Sequence, residues 1–239
     1  MPETPVDILA FGAHPDDVEF GCGGVIASEV QHGMRARLVV CSRGESATNG
    51  TPNGRSSEAE QGAGALGAEL EFIDLGGDAH FEHRAEHVIA LAAVIRRHRP
   101  RIVFSPTSAE NQHPDHVVLA RLIRDAARLA RYGGVAELRG NEPHAIEQLL
   151  GYAVSMEGEP AGQTPLFYDV SAESVMASWR ASMEAHASQM RTRNYVELQL
   201  TRARLNGLRS GVGNAIALFP NDPIVVSSLA HLGRSARRF

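Results

Sequence analysis

Near its start the chain reads Val6-Asp7-Ile8-Leu9-Ala10-Phe11-Gly12 and continues directly into Ala13-His14-Pro15-Asp16-Asp17. The apolar run in the first segment is short, as is typical of a buried strand. The polar segment follows the carboxyl end of that strand. In open α/β sheets, ligands bind in the crevice beyond the carboxyl ends of the strands. The start of the chain therefore predicts a buried strand that leads into a binding site.

Strand and helix patterns alternate through the rest of the first half of the chain. Further strands are predicted at residues 37–41, 69–75 and 102–104. Helices are predicted at residues 21–32, 55–66, 84–99 and 114–129. This alternation predicts an α/β fold, with a Rossmann-like, mostly parallel twisted sheet and helices on both faces.

The second half is less regular. Strands are predicted at residues 146–154 and 166–170, and helices at 172–190 and 195–208. No stretch has the composition of a linker, so we expect one domain over residues 1–239.

The composition excludes several classes of function. All 23 basic residues are arginine, which rules out Schiff-base lysine chemistry and a phosphate-loop lysine. The formal net charge of -5 argues against a general nucleic-acid binder. Neither a signal peptide nor a membrane-spanning stretch is expected, and two cysteines are too few for a disulfide scaffold. These features predict a cytoplasmic protein with a small-molecule substrate.

A second polar motif, His113-Pro114-Asp115-His116, follows the predicted fourth strand. Both motifs therefore lie at the same edge of the predicted sheet. Two imidazoles and one carboxylate leave coordination positions open, as expected of a catalytic zinc site. The spare carboxylate of the Asp16/Asp17 pair is a candidate general base. The residue types alone do not decide which of these two aspartates is the ligand.

Two other functions use the same residues. Two histidines and one carboxylate also describe the metal site of non-haem iron oxygenases. A non-catalytic metal-binding protein is the second alternative, although a purely structural site needs no spare base. Oxygen dependence and metal coordination distinguish the three hypotheses.

The motifs resemble those of a known family. The run from Ala13 to Glu19, followed by Gly21-Cys22-Gly23-Gly24, is similar to the opening signature of the zinc-dependent LmbE-like de-N-acetylases, also called the PIG-L family. The segment 113–116 resembles the second signature of that family, and Ser42-Arg43-Gly44-Glu45 resembles its loop after the second strand. The resemblance covers nearly the whole chain and is strongest over residues 8–119.

This resemblance implies roles for individual residues. The implied zinc ligands are His14, Asp17 and His116, with one ion per chain and with other divalent metals as alternatives. The implied catalytic residues are Asp16 as the base, His113 as the group that stabilises or protonates the tetrahedral intermediate, and Asp115 as the residue that orients His113. The implied substrate-binding residues are Glu45, Arg55, Asp78 and His186.

The resemblance also implies the reaction, which is removal of acetate from an N-acetylglucosamine-type amino sugar. The chain looks most similar to the bacillithiol-pathway deacetylase branch, whose substrate is N-acetylglucosaminyl malate. That branch often has a basic residue just before the second signature, where this chain has Gln112. Malate as the aglycone is therefore in doubt. A homo-oligomer is expected, without nucleic-acid or membrane partners.

Overall fold

Residues 5–236 of the computed structural model are described here, and they contain one seven-stranded sheet. Strands β1 to β7 span Ile8–Gly12, Ala36–Val40, Glu69–Phe72, Ile102–Pro106, Gln148–Tyr152, Leu166–Asp169 and Ala215–Pro220. Helices α1 to α6 span Asp17–Gln31, Pro52–Leu66, Ala85–His98, Pro114–Ala130, Glu173–Glu184 and Tyr195–Ser210.

The sheet is mostly parallel, as predicted. Its strand order is β3-β2-β1-β4-β5-β7-β6, and β1 to β5 pair in parallel. Strand β7 is antiparallel to both of its neighbours, β5 and β6. The chain order reverses between β1 and β4, since β2 and β3 lie on one side and β5 on the other. This switch point is where open α/β sheets bind their ligands.

Helices cover both faces of the sheet, which confirms the predicted layers. The side chains of β1 alternate between two buried cores because successive residues of a strand point to opposite faces. Ile8 and Ala10 belong to a core that also contains apolar residues of α1, α2, α5 and α6. Leu9 and Phe11 belong to the other core, which contains apolar residues of α3 and α4. Strand β1 is therefore buried on both faces and fixes the position of the loop that follows it.

Helix α1 begins earlier than predicted, at Asp17 rather than at residue 21. The glycines in its sequence lie within the helix and allow close packing. A Cβ atom on Gly21 would lie 2.2 Å from the ring of Tyr152, and one on Gly24 would lie 2.9 Å from Ile216. The Tyr152 hydroxyl donates a hydrogen bond of 2.7 Å to the carbonyl of Phe11. The glycines thus bring α1 close to the end of the sheet where β1 terminates.

Two features of the second half differ from the prediction. Strand β7 was not predicted, although its apolar run Ala-Ile-Ala-Leu-Phe has the pattern of a buried strand. The helix predicted at residues 172–190 is divided, because α5 ends at Glu184 and a short 3-10 helix spans Ala187–Arg191. Residue His186 lies between the two and is fully buried.

Among the helices within residues 5–236, none combines the length and the apolar composition that a bilayer crossing requires. The expectation of one domain over residues 1–239 stays a prediction.

Candidate metal centre and active-site cleft

The two His/Asp motifs lie side by side at the switch point of the sheet. Their strands, β1 and β4, are hydrogen-bonded neighbours, so the loops that follow them begin next to each other. The ring centroids of His14 and His116 are 5.3 Å apart, and those of His14 and His113 are 4.6 Å apart. The structure therefore brings together residues that are about a hundred positions apart in the chain.

A buried group consisting of His14, Asp17 and His116 has the geometry of a metal site. Each residue offers one ligand atom, and these atoms lie within 4.8 Å of one another. The carboxylate of Asp17 lies between the imidazoles, with Oδ1 3.0 Å from His116 Nε2 and Oδ2 3.4 Å from His14 Nδ1. Oδ2 also accepts a hydrogen bond of 2.9 Å from the His14 backbone N–H.

The donor set fits a divalent metal. Both ring nitrogens of His116 are buried, and within residues 5–236 neither makes a hydrogen bond of good geometry, although Nε2 lies 3.0 Å from Asp17 Oδ1. Buried polar atoms normally have a partner, and a bound metal would supply one for the nitrogen that faces Asp17. Two imidazoles and one carboxylate are the ligands found in catalytic zinc sites. That these three residues bind the metal stays a prediction.

The charges in this group favour an ionised Asp17. Burial raises the pKa of the Asp17 carboxyl, but the neighbouring imidazoles of His116 and His14 outweigh burial and bring it well below its usual range. Burial lowers the pKa of His14, but Asp17 and the carboxylates on its other side raise that pKa well above the ordinary value. A carboxylate that stays ionised is suited to binding a cation.

The neighbouring Asp16 also lines the cleft, but it is more exposed than Asp17 and has a different partner. Its side chain is 16% exposed, and its Oδ2 lies 3.2 Å from Arg55 Nη2. Burial raises the pKa of Asp16 to about 6, although Arg55 acts in the opposite direction. Its backbone φ of 145° is unusual for a residue other than glycine, and such strain is common at functional sites. The structure thus distinguishes two aspartates that the residue types alone left equivalent, while the role of Asp16 as a base stays a prediction.

His113 lies at the mouth of the site and is exposed. Burial and the nearby imidazoles of His14 and His116 lower the pKa of His113, which favours its neutral form. Its Nδ1 accepts a hydrogen bond of 3.3 Å from the backbone N–H of Asp115. The Asp115 carboxylate was expected to orient His113, but its Oδ2 contacts His14 Nε2 at 3.4 Å and accepts the Ala79 N–H at 2.7 Å. The expected partner of this carboxylate is therefore corrected from His113 to His14.

Two of the four predicted substrate-binding residues line the cleft. Arg55 is buried and donates hydrogen bonds of 3.2 Å to both the Pro15 carbonyl and Asp16 Oδ2. Asp78 is also buried, and its Oδ1 lies 3.1 Å from His14 Nε2. Both residues therefore contact the predicted catalytic and metal-binding residues, in addition to facing the cleft.

The other two are not among the residues that line the cleft. A substrate contact by Glu45 stays a prediction, whereas burial corrects the prediction for His186. Glu45 is exposed, and its carboxylate accepts hydrogen bonds of 3.0 Å from the backbone N–H groups of Arg43 and Asp78. It therefore shapes its loop. His186 is 0% exposed, and its Nε2 lies 3.3 Å from Oε1 of the equally buried Glu19. A residue with no exposed surface does not contact a substrate in the cleft.

The cleft has a volume of about 650 Å³, which is within the usual range for sites that bind small molecules. Part of its wall was not predicted, because it comes from segments without a recognisable motif. These segments are the end of the loop before α2, the loop after β5 and the start of α6. The wall residues that they and α1 contribute include Phe20, Asn49, Met156, Arg193, Tyr195 and Leu198.

The fold and the site together indicate the class of protein. A parallel α/β sheet carries a buried His/Asp/His group at its switch point, and a separate carboxylate faces the adjoining cleft. An arrangement of this kind can bind a metal and place a base beside it, which are the two groups that activate water in hydrolytic enzymes.

Comparison with known proteins identifies the family. The model of the PIG-L family, described as GlcNAc-PI de-N-acetylase, matches residues 9–127. The chain is 32% identical to the uncharacterized deacetylase YaiS of Escherichia coli, over 61% of this chain and 72% of that protein. This chain belongs to the PIG-L family. The prediction of a deacetylase-family enzyme is thereby confirmed, and the bacillithiol branch stays a prediction.

Other relatives show the range of the family. A 1D-myo-inositol 2-acetamido-2-deoxy-alpha-D-glucopyranoside deacetylase of Catenulispora acidiphila is 26% identical over 78% of this chain and 80% of its own length. A 4-oxalmesaconate hydratase of Pseudomonas putida is 29% identical over 59% of this chain and 62% of its own. The crystal structure of the conserved protein TT1542 from Thermus thermophilus superposes with a TM-score of 0.82 at 30% identity, covering 92% of this chain and 97% of that one.

Proposed function

We propose that this protein is a zinc-dependent hydrolase that removes the acetyl group from an N-acetylglucosamine-type amino sugar. The proposal rests on one observation, which is that two carboxylates adjacent in the chain have different contacts. Asp17 lies between the imidazoles of His14 and His116, whereas Asp16 lies against Arg55 and is the more exposed of the two in the cleft that both line. A metal site with its own adjacent base is what hydrolysis of an unactivated amide requires.

The residues that would hold the metal are His14, Asp17 and His116. A zinc ion at this site supplies Lewis acidity, which polarises the acetamide carbonyl and lowers the pKa of water. Nitrogen and oxygen ligands of this kind suit zinc, with other divalent metals as alternatives.

The remaining chemistry belongs to side chains of the cleft. Asp16 accepts a proton from water as the water oxygen bonds to the carbonyl carbon. His113, which is exposed to the cleft and favours the neutral form, hydrogen-bonds to the developing oxyanion. The C–N bond then breaks as the departing amine receives the proton that Asp16 took from water; a protonated His113 is the alternative donor. The products are acetate and the free amino sugar.

Arg55 keeps the base in place during these steps. Its guanidinium is 4% exposed and contacts both Asp16 and the carbonyl of Pro15. This contact stabilises the ionised form of Asp16 that accepts a proton. A positively charged neighbour that is itself buried also limits the rotation of the carboxylate.

The names of the relatives support an amino sugar as one part of the substrate. The aglycone attached to that sugar is a separate and more specific proposal. N-acetylglucosaminyl malate, as in bacillithiol synthesis, is one candidate. Gln112, which stands where that branch often has a basic residue, donates hydrogen bonds of 2.7 Å to the carbonyls of Thr107 and Ala109. Because its amide is engaged within its own loop, Gln112 does not supply a contact to a carboxylate. An inositol aglycone is the second candidate, from the Catenulispora relative.

Hydration of an unsaturated acid is the second candidate function, because one relative is named a 4-oxalmesaconate hydratase. Hydration also needs an activated water and a base, so the site geometry alone accommodates both reactions. Family membership favours these two reactions over the non-haem iron oxygenase and over a non-catalytic binding protein.

The test is a panel of N-acetylglucosaminides, including the malate and inositol conjugates, incubated anaerobically with the zinc-loaded protein. We expect release of acetate and free amine in equal amounts. The Asp16→Asn variant, which should still bind zinc, is the matched control for the base. Conversion of 4-oxalmesaconate without any acetate release would contradict the deacetylase proposal in favour of the hydratase. A strict requirement for oxygen and ferrous iron would contradict both.

We also propose that the protein acts in the cytoplasm as a homo-oligomer on a free small-molecule substrate, without nucleic-acid or membrane partners. The net charge of -5 supports the absence of a polyanionic partner. Light scattering after size-exclusion chromatography tests the assembly, and a monomer at micromolar concentration would contradict it.

A further inference from the structure

The imidazole of His14 has carboxylates on both sides. Its Nδ1 faces Asp17, within the group that could hold the metal. Its Nε2 faces away from that group, 3.1 Å from Asp78 Oδ1 and 3.4 Å from Asp115 Oδ2. Both of these further carboxylates are buried. The two nitrogens of one ring therefore have different partners.

The turn that carries Asp78 is strained. Gly76 and Gly77 have φ values of +104° and +88°, which suit glycine, but Ala79 has a φ of +67°. A left-handed conformation is unfavourable for a residue with a Cβ. Strain of this kind persists only where surrounding contacts stabilise it, and it is common at functional sites.

Hydrogen bonds hold the turn in this conformation. The backbone N–H of Ser46 donates to Asp78 Oδ2 at 3.2 Å, and the Ser46 hydroxyl donates to the Asp78 carbonyl at 2.8 Å. The N–H of the strained Ala79 donates to Asp115 Oδ2 at 2.7 Å. The turn thus fixes Asp78 directly and Asp115 through the Ala79 N–H, and both carboxylates contact the same nitrogen of His14.

We propose that Asp78 is a positioning residue for the metal site, which accepts the Nε2–H of His14. A neutral imidazole carries one proton, so a carboxylate at Nε2 leaves the Nδ1 lone pair free for the metal. Partners of this kind orient metal-binding histidines and increase their basicity. Asp115 is the second acceptor at the same nitrogen. The inference rests on the metal site of the proposed function, and it assigns Asp78 a role other than the sugar contact expected from the family resemblance.

Two other arrangements give different outcomes. If Asp78 only contacts the sugar, its loss weakens substrate binding and leaves metal binding unchanged. His14, His113 and Asp115 also form a group whose ligand atoms lie within 4.8 Å of one another. If the metal bound there, Nε2 of His14 would be its ligand and would carry no proton.

The first experiment measures zinc affinity without substrate, by competition with a chelating dye. We expect Asp78→Asn to weaken zinc binding by about 10–100-fold, the usual effect of removing such a partner. Asp74→Asn is the matched control, because Asp74 is an exposed carboxylate that accepts the N–H groups of Gly76 and Gly77 in the same loop. Zinc affinity equal to wild type in Asp78→Asn, with only KM increased, would overturn the proposal.

A second measurement on the wild-type protein keeps the proposal testable if Asp78→Asn fails to fold. Nitrogen-15 NMR of the zinc-loaded protein should show a proton on His14 Nε2 and none on Nδ1. A proton on Nδ1, with Nε2 bound to zinc, would overturn it. Neither measurement requires turnover. A protein that binds zinc in the expected way but releases no acetate would therefore contradict the proposed function and leave the role of Asp78 intact.

Discussion

The two motifs of the site begin with the same three residues, His-Pro-Asp, and yet their side chains take opposite positions. In the first motif, His14 is buried and Asp16 faces the cleft. In the second motif, His113 is exposed to the cleft and Asp115 is buried. Each motif contributes its fourth residue, Asp17 or His116, to the buried group that could hold a metal.

The start of the following helix explains the difference. Helix α4 begins at Pro114, so His113 occupies its N-cap and the rest of the motif lies in the first turn. Proline at the first helical position is a common helix start. Helix α1 begins only at Asp17, and Asp16 occupies its N-cap with a φ of 145°. Similar sequences therefore differ in function because a helix begins at a different residue in each.

The largest expected effect is on catalysis, and it distinguishes Asp16 from Asp115, the third residues of the two motifs. Asp16→Asn should lower the rate of acetate release by about 10²–10⁴-fold, the usual contribution of a general base, with zinc content unchanged. Asp115→Asn should instead act through His14 and weaken zinc binding by about 10–100-fold. Turnover and zinc content of both variants check this. Near-wild-type turnover by Asp16→Asn would refute its role as the base.

The two histidines of the second motif should differ in metal binding. His116→Ala removes a ligand, so we expect zinc affinity to fall by more than about 100-fold, beyond the effect of losing an orienting partner. His113→Ala should keep its zinc and lose activity, because His113 faces the cleft and is not needed for the buried group. Zinc analysis after dialysis measures both. Full zinc occupancy in His116→Ala would place the ligand elsewhere.

The helix that follows the first motif depends on a glycine for its packing, whereas α4 contains none. Gly21→Ala should lower the free energy of unfolding by about 1–3 kcal/mol, since its Cβ would lie 2.2 Å from the buried ring of Tyr152. Gly64→Ala is the matched control, because no atom lies within 4 Å of its added Cβ. It should raise the free energy of unfolding by about 0.5–1 kcal/mol. Urea denaturation measures both, and equal effects would contradict the packing argument.

The smallest expected effect concerns the turn that holds Asp115 of the second motif. Ala79→Gly removes the cost of a left-handed alanine, about 1–2 kcal/mol, but adds the entropy of glycine, about 0.5–1 kcal/mol. The net result should be a rise in the free energy of unfolding of up to about 1.5 kcal/mol, measured by urea denaturation. Zinc affinity should not change, because the Ala79 N–H is a backbone group. A clear loss of stability would show that Ala79 is not strained.

Much of the fold could be predicted because its elements depend on local pattern. The apolar runs before His14 and before Pro106 are short, and each precedes a predicted helix, so both were predicted as strands. Both are strands in the structure. Strand β7 was missed although its apolar run was visible. It lies between β5 and β6 and runs antiparallel to both. Local sequence does not determine which strands pair.

The substrate-binding residues were the hardest part of the site to predict. Glu45 and His186 were expected in the cleft, but one shapes a loop and the other is buried against Glu19. The direction of a side chain depends on the conformation of its loop and on the elements packed around it. Neither of these is encoded within a few neighbouring residues.

The amino-acid sequence by itself determined the α/β class and the edge of the sheet where the chemistry lies, because hydrophobic periodicity and the position of polar residues after strands are local properties. It also identified the His/Asp motifs. Only the tertiary structure decided that Asp17 faces the imidazoles while Asp16 lies against Arg55, and that Asp78 lies against His14. These distinctions depend on where a helix begins and on which distant segments meet, and both are settled only when the whole chain packs.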